Sequence, residues 1–364
     1  MNGVLIIDKS PGLTSHDVVN RVRRILGQHS VGHLGTLDPM ATGVLPLVTG
    51  SYTRLAQFYL SSEKTYEGTV RFGFSTDTYD AEGDPTSAPQ PVSVNKEEIE
   101  VLAERFRGII VQTPPPFSAK KIKGVPAYKL ARKQKQVMLE PVQVEIKEFD
   151  ILAVAADRVG FRARVASGTY MRSVAHDMGK AVGCGAHLES LRRTSVAEFT
   201  LADAHTLDQL AEAAGTSFGL LAPSPAIAEG QAGNTPETAV DNPRREMVAE
   251  HSLPPKPWAE GEKQAQAPED RDGILGSSTR QKLFDAFFIH PRKLLPQFPS
   301  VTADEATTAR IRSGRTVNLP ELSRARQVKV FTGQRELIAI ATRVAGTLFH
   351  AKIVLCATDA TFSS

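Results

Sequence analysis

The chain has 364 residues, 41% hydrophobic and 23% charged, a soluble globular balance with room for one large domain and a smaller one. A net charge of +3 exerts no global pull on nucleic acid, so any basic footprint must be local. Cys184 and Cys356 exclude a disulfide framework, and the four apolar residues before Asp8 are too few for a signal peptide or membrane span. The expected protein is cytoplasmic, with no membrane association.

Taken in chain order, Ser15 is placed to cap a helix whose apolar positions Val18, Val19, Val22, Ile25 and Leu26 follow helical spacing, with Gly27 at its end. Tyr66, Gly68, Val70, Phe72 and Phe74 alternate with Thr65, Glu67, Thr69 and Arg71, the period of a strand. Asn95 with Glu98 forms a capping-box pattern and Val94 with Ile99 a hydrophobic staple. The helix so opened carries Ile99, Leu102 and Phe106 towards a stop at Gly108. Val159, Phe161, Ala163 and Val165 predict another strand. After Ser167, Gly168 and Thr169 a helix follows, with Met171, Val174, Ala175, Met178 and Val182 on one face. Strands and helices mix without a regular βαβ alternation, so the expected class is α+β.

Composition divides the chain in three. Residues 1–222 hold 25 Lys and Arg against 24 Asp and Glu. Residues 223–282 contain no Phe or Tyr, a single Trp (Trp258) and eight prolines, too little apolar surface to offset the entropy of ordering, and read as a disordered linker or insertion. Residues 283–364 are basic, 11 against 6, and predict short strands at 327–331, 337–344 and 352–355, as in a small β-barrel or sandwich.

Common cofactor signatures are missing: no GxxxxGK[ST] loop, no HExxH, no CxxC, and a partial GxG at Gly183 and Gly185 that follows a helix rather than a strand. The expected chemistry therefore needs no cofactor and no metal. The densest signal is residues 32–43, GHLGTLDPMATG, a tightly shaped loop. Such loops on a rigid scaffold often hold catalytic groups, although Asp-Pro and Thr-Gly serve equally as turn chemistry. A second signal is a basic run without acids, holding Lys120, Lys121, Lys123, Lys129, Arg132, Lys133 and Lys135 with Tyr128 among them. It suits a phosphate backbone with salt-sensitive affinity, or else a solvated helix face.

Residues 32–43 resemble the catalytic motif of the TruB family of pseudouridine synthases. Further stretches resemble that family in the same order: residues 5–15 (LIIDKSPGLTS), 64–66 in a strand, 116–132, 167–172 (SGTYMR) and 183–193 (GCGAHLESLRR). The likeness covers residues 3–215. Residues 285–364 are similar to the PUA-type RNA-binding barrel that ends many members. Two departures are Ser10, where the family has proline, and Val165-Ala166-Ser167, where it more often has a Cys-Ser pair.

The resemblance implies a pseudouridine synthase fold: a central mixed, mostly antiparallel sheet flanked by helices over 1–222, a linker over 223–282, and a PUA-like barrel over 283–364. It implies isomerisation of uridine 55 in the tRNA T-loop, by breaking the N-glycosidic bond, turning the uracil and rejoining it through carbon. Asp38 matches the catalytic carboxylate, Arg172 the arginine paired with it, and Tyr66 the aromatic that stacks on the base. His33 matches a residue that holds the uridine out of its stack. Tyr170 and Leu191 match the uracil pocket, and Lys9 a lysine bracing the site. Lys120, Lys121, Lys123, Lys129 and Arg132 would meet the RNA. The expected partner is the tRNA T-arm, with no obligatory protein partner. A tRNA-folding assistant with incidental catalysis and a guide-dependent synthase are the alternative readings; a methyltransferase is disfavoured by the missing cofactor loop.

Overall fold

The computed structural model describes residues 1–118, 120–122, 125–126, 139–216, 276–321 and 323–355. Ten strands share one sheet: β1 (Gly3–Lys9), β2 (Val31–His33), β3 (Thr42–Thr49), β4 (Lys64–Phe72), β5 (Gly108–Gln112), β8 (Val142–Ala155), β9 (Arg158–Val165), β10 (Ala186–Val196), β11 (Phe199–Thr200) and β12 (Ala204–His205). A separate hairpin pairs β6 (Lys121–Ile122) with β7 (Val125–Pro126). The main order is β12-β1-β3-β10-β4-β9-β8-β5, with β2 on β3 and β11 on β10. Among the described residues of this sheet, only β1 with β12 and β3 with β10 run parallel. The sheet is thus mixed and mostly antiparallel, as expected.

Period-2 side-chain alternation explains why β1 is buried on both faces. Leu5 and Ile7 enter one core with helices α1 (Ser15–Leu26), α2 (Lys96–Glu104) and α3 (Met171–Val182). Val4 and Ile6 enter a second core on the opposite face. That second core also holds Tyr52 and Leu55 from the 3-10 stretch Gly50–Phe58, together with Phe331, Leu337, Ile340, Ile353 and Leu355 from the C-terminal region. The C-terminal sheet therefore packs directly behind the strands that carry residues 32–43.

That sheet comprises β13 (Ser300–Ala303), β14 (Val317–Asn318), β15 (Gln327–Thr332), β16 (Glu336–Ala345) and β17 (Leu348–Val354), in the order β13-β15-β16-β17-β14. Irregular register at Val330/Phe331, Ile340/Ala341 and Arg343/Ala345 curls it around Val301, Val328, Val330, Ile338 and Phe349. The expected strand at 352–355 begins earlier, at Leu348. Helix α4 (Leu207–Ala213) packs near β1, α5 (Ser277–Phe287) sends Leu283 into the first core, and α6 (Glu305–Arg312) covers the C-terminal sheet. Residues 223–275 of the expected linker lie outside the described residues.

Local chemistry adjusts three expectations. Thr14, not Ser15, caps α1, because Asp17 three residues on completes a reciprocal box: Asp17 N donates to Thr14 Oγ1 at 3.0 Å and Thr14 N to Asp17 Oδ2 at 2.9 Å. Asn95 caps α2 through Glu97 N at 2.8 Å, and the helix ends at Glu104, ahead of Gly108. Val182 lies at the last position of α3 and is exposed, where the helix leaves the sheet.

Gly43, the second residue of β3, has φ +98°, and a Cβ there would run into the main-chain carbonyl of Arg193 on the parallel strand β10. Gly43→Ala combines left-handed backbone strain with overpacking and is expected to cost about 3 kcal/mol. Urea unfolding of the full chain checks this. A loss below about 0.5 kcal/mol, the usual range of surface substitutions, would contradict it.

Candidate active site

Residues 34–41 form the connection from β2 to β3, and neighbouring elements satisfy its backbone groups one by one. Ser15, released from capping, is buried and holds Leu37 from both sides: Leu37 N donates to Ser15 Oγ at 2.8 Å, and Ser15 Oγ to Leu37 O at 3.1 Å. Lys9 ends β1 fully buried and donates through Nζ to Pro39 O at 2.9 Å and Ser10 O at 3.0 Å. Because Ser10 serves through its main chain, the departure there leaves this contact intact. Arg193 on β10 donates from Nη2 to Gly35 O at 3.1 Å, from Nη1 to Thr36 O at 3.3 Å and from Nε to Val44 O at 2.8 Å. Two buried cations thus clamp the segments on either side of Asp38.

Arg172, the second residue of α3, approaches Asp38 from across the site. Its Nη2 donates to Asp38 Oδ1 at 3.0 Å, while Nε sits at ion-pair distance, 2.9 Å, from Oδ2 without hydrogen-bond alignment. A planar guanidinium meeting both oxygens fixes the direction of the carboxylate as well as its charge. Its remaining donors reach Phe117 O at 3.0 Å and Thr78 O at 3.3 Å. Nη1 also lies 3.5 Å from Oδ2 of Asp80, whose side chain, like that of Arg172, is about 5% exposed. Asp80 is in turn braced by Thr78 Oγ1 at 2.6 Å and Glu82 N at 3.1 Å.

Withdrawal from water pushes the Asp38 carboxyl above its ordinary range, Arg172 pulls it back, and the like charge of Asp80 adds to the upward push. A third of the Asp38 side chain still meets solvent, so it is both held and reachable. Asp80→Asn is expected to shift the pH dependence downward. Removing the like charge lowers the Asp38 pKa, so the acid limb of kcat/KM moves to lower pH, while looser support of Arg172 lowers kcat by roughly tenfold. A pH–rate profile on both proteins checks this, and an acid limb that moved upward would contradict it.

Of the other expected residues, Lys9 and Tyr170 lie near this pair, while Tyr66 and His33 lie by Arg193. Tyr66 on β4 is 8% exposed and stands opposite Arg193 in the β4–β10 register, with its phenol near enough to act on that guanidinium. His33 accepts from Gly35 N at 3.3 Å through Nδ1, and burial together with Arg193 pushes its imidazole below the usual range, favouring the neutral ring. Burial also draws Lys9 down to about 8. Tyr170 precedes α3, and its phenol is close enough to Arg172 and Asp38 to feel both charges. Leu191, on β10, lines a cavity of about 300 Å³ with Met40, Thr42, Glu67 and Arg192. That cavity shares Leu191 with the expected set but is not lined by Asp38, Tyr66 or Arg172.

Of the basic residues, Lys120 donates to Glu140 O at 3.2 Å. Lys121 begins β6, while Lys123, Lys129 and Arg132 lie outside the described residues.

Asp80, Arg193, Gln112 and the inward role of Ser15 lie outside the set expected from the sequence. Gln112 is buried at the end of β5 and grips the Tyr170 peptide from both sides: Tyr170 N donates to Oε1 at 2.8 Å and Nε2 to Tyr170 O at 3.1 Å. Arg193 had a signal, since it shares strand parity with Leu191. Asp80 had none, because the turn around it has no period.

The family model for TruB family pseudouridylate synthases (N terminal domain) matches residues 23–171, and that for the tRNA pseudouridylate synthase B C-terminal domain matches residues 172–217. The tRNA pseudouridine synthase B of Solibacter usitatus is 43% identical over 358 residues, spanning 98% of this chain and all of the relative. The protein of that name from Aquifex aeolicus is 44% identical over 211 residues, 57% of this chain and 73% of the relative. In fold, the chain is similar to the archaeal box H/ACA sRNP Nop10-Cbf5 complex, with a TM-score of 0.60 and 20% identity over 98% of this chain and 87% of the other.

Proposed function

The chain belongs to the TruB family of pseudouridylate synthases and isomerises uridine to pseudouridine in tRNA, and from this membership we propose that its target is uridine 55 of the T-loop, with Asp38 as the catalytic carboxylate. The observation that carries the assignment of Asp38 is its pairing with Arg172 through both oxygens, with a third of the side chain still open to solvent. Attack on C1′ of the sugar, attack on C6 of the base, or help in removing the C2′ proton each require the same thing: a carboxylate held ionised and aimed. Arg172 supplies both conditions.

Tyr66 would stack on the flipped uracil, His33 would fill the gap that the base leaves, and Tyr170 and Leu191 would wall the pocket. Lys9 braces the loop from behind through Pro39. The basic residues Lys120, Lys121, Lys123, Lys129 and Arg132 would follow the phosphate backbone, and the C-terminal sheet would add further phosphate contacts. We take the enzyme to act alone, without cofactor, in the cytoplasm. Among the described residues no helix is long and apolar enough to cross a membrane.

The T-arm assignment is tested with isolated stem–loops of one tRNA. The T-arm alone is expected to be converted, and the anticodon and D arms left unchanged. Equal conversion of the anticodon arm would overturn the T-arm as the determinant.

A further inference from the structure

One ring contact lies just behind the charge pair and belongs to none of the roles above. Tyr79 and His176 stack with centroids 3.7 Å apart and planes within 8° of parallel. Tyr79 immediately precedes Asp80 in the turn after β4. His176 lies on α3 four residues beyond Arg172, one helical turn along the same side. The two rings therefore join the segment that carries Asp80 to the helix that carries Arg172.

The backbone at the stack is under constraint. Tyr79 has φ +66°, in the left-handed region that a tyrosine rarely adopts, and such a conformation persists where the surroundings over-determine it. On the sheet side, Leu188 N donates to Tyr79 O and Ala81 N to Leu188 O, both at 3.0 Å, which ties the turn to β10. These bonds set the height of the turn but not its distance from α3. That distance is set by the ring contact together with Arg172 Nη1, which donates to Thr78 O at 3.3 Å. His176 is suited to the stack: burial draws its pKa down to about 4, so the ring stacks as a neutral plate, and its buried Nδ1 has no hydrogen-bond partner among the described residues to draw the ring aside.

We propose that the Tyr79–His176 stack is a positioning clamp that fixes Asp80 against Arg172 and thereby aims the guanidinium at Asp38. The inference rests on the reading of Asp38 and Arg172 as the working pair. Neither Tyr79 nor His176 touches substrate in this account; they act through Asp80.

The test measures single-turnover pseudouridine formation and tRNA affinity for Tyr79→Asn, Tyr79→Phe, His176→Ala and His176→Phe in the full chain, each also in an Asp80→Asn background. Asn tolerates the left-handed backbone at position 79 but cannot stack, so this variant separates loss of the ring from loss of the fold. Tyr79→Asn and His176→Ala are expected to slow the chemical step about tenfold with tRNA affinity within about twofold of wild type, while both Phe variants restore the rate. In the Asp80→Asn background the same losses should shrink to less than about twofold, the non-additivity expected of groups acting through one another. Wild-type rates in Tyr79→Asn and His176→Ala would overturn the clamp, as would equal losses with and without Asp80, or a loss confined to affinity. If Asp38→Asn and Arg172→Met themselves remained active, the reading beneath the clamp would fail with it. Dead charge-pair variants beside wild-type stack variants would sink the clamp alone.

Discussion

Asp38→Asn is expected to lower the rate of pseudouridine formation by about 10⁴-fold or more while tRNA affinity stays within a few-fold of wild type. The amide keeps the size of the carboxylate and can still accept from Arg172 Nη2, so the loop held by Ser15, Lys9 and Arg193 should keep its shape. What is lost is the negative charge, and with it nucleophile, base or counter-charge, whichever the covalent route uses. Removing a charge that withdrawal from water already disfavours should also leave the fold at least as stable. Rate and thermal melt together check this. A variant that retained a tenth of the wild-type rate would remove Asp38 from the chemistry.

Arg172→Met is expected to have the second largest effect, on stability as well as rate. It leaves Asp38 and Asp80 facing each other with their shared cation gone, one of them almost wholly buried. Breaking a buried pair from one side typically costs about 3–5 kcal/mol, because the remaining charge is left uncompensated. Rate should fall by about 10²- to 10³-fold, the scale found when one preorganised electrostatic contact is removed. The pH profile gives the sign. Arg172 holds the Asp38 pKa down, so without it the pKa rises and the acid limb moves to higher pH, opposite to the movement expected for Asp80→Asn. Arg172→Lys should recover part of the stability but less of the rate, since an ammonium supplies charge without the planar fork. Equal acid limbs in wild type and Arg172→Met would contradict the electrostatic coupling.

Much of the fold was legible because burial follows period. Strands β4 and β9 and helices α1 and α3 announce themselves through alternation or helical spacing, and Thr14 replaces Ser15 as cap only because Asp17 completes the box. β1 and β3 were harder. Both are covered on two faces, by a helical layer and by the C-terminal sheet, so their apolar runs carry no alternation from which a strand could be read. The short partners β11, β12 and β14 are only two residues long and exist by pairing, which no local pattern encodes.

The site divides along the same line. Asp38 stood out through the turn-rich motif around it, and Arg172 through the resemblance of its own stretch. Their joint geometry required the structure, because 134 residues separate them in the chain. Asp80 and Gln112 were not legible as site residues, since what matters in each is a buried polar side chain satisfied by a distant main-chain or charged group, whereas Arg193 had strand parity with Leu191 to mark it but not its partners on the loop. Such partners are set by tertiary packing, and an aspartate in a polar turn reads from sequence as solvated.

Incubating the purified chain with an unmodified tRNA transcript, without guide RNA or any other protein, and mapping pseudouridine by position tests substrate, position and self-sufficiency together. A single pseudouridine is expected, at uridine 55 of the T-loop. No product, product at another position, or product that appears only when a guide RNA and further proteins are supplied would contradict it.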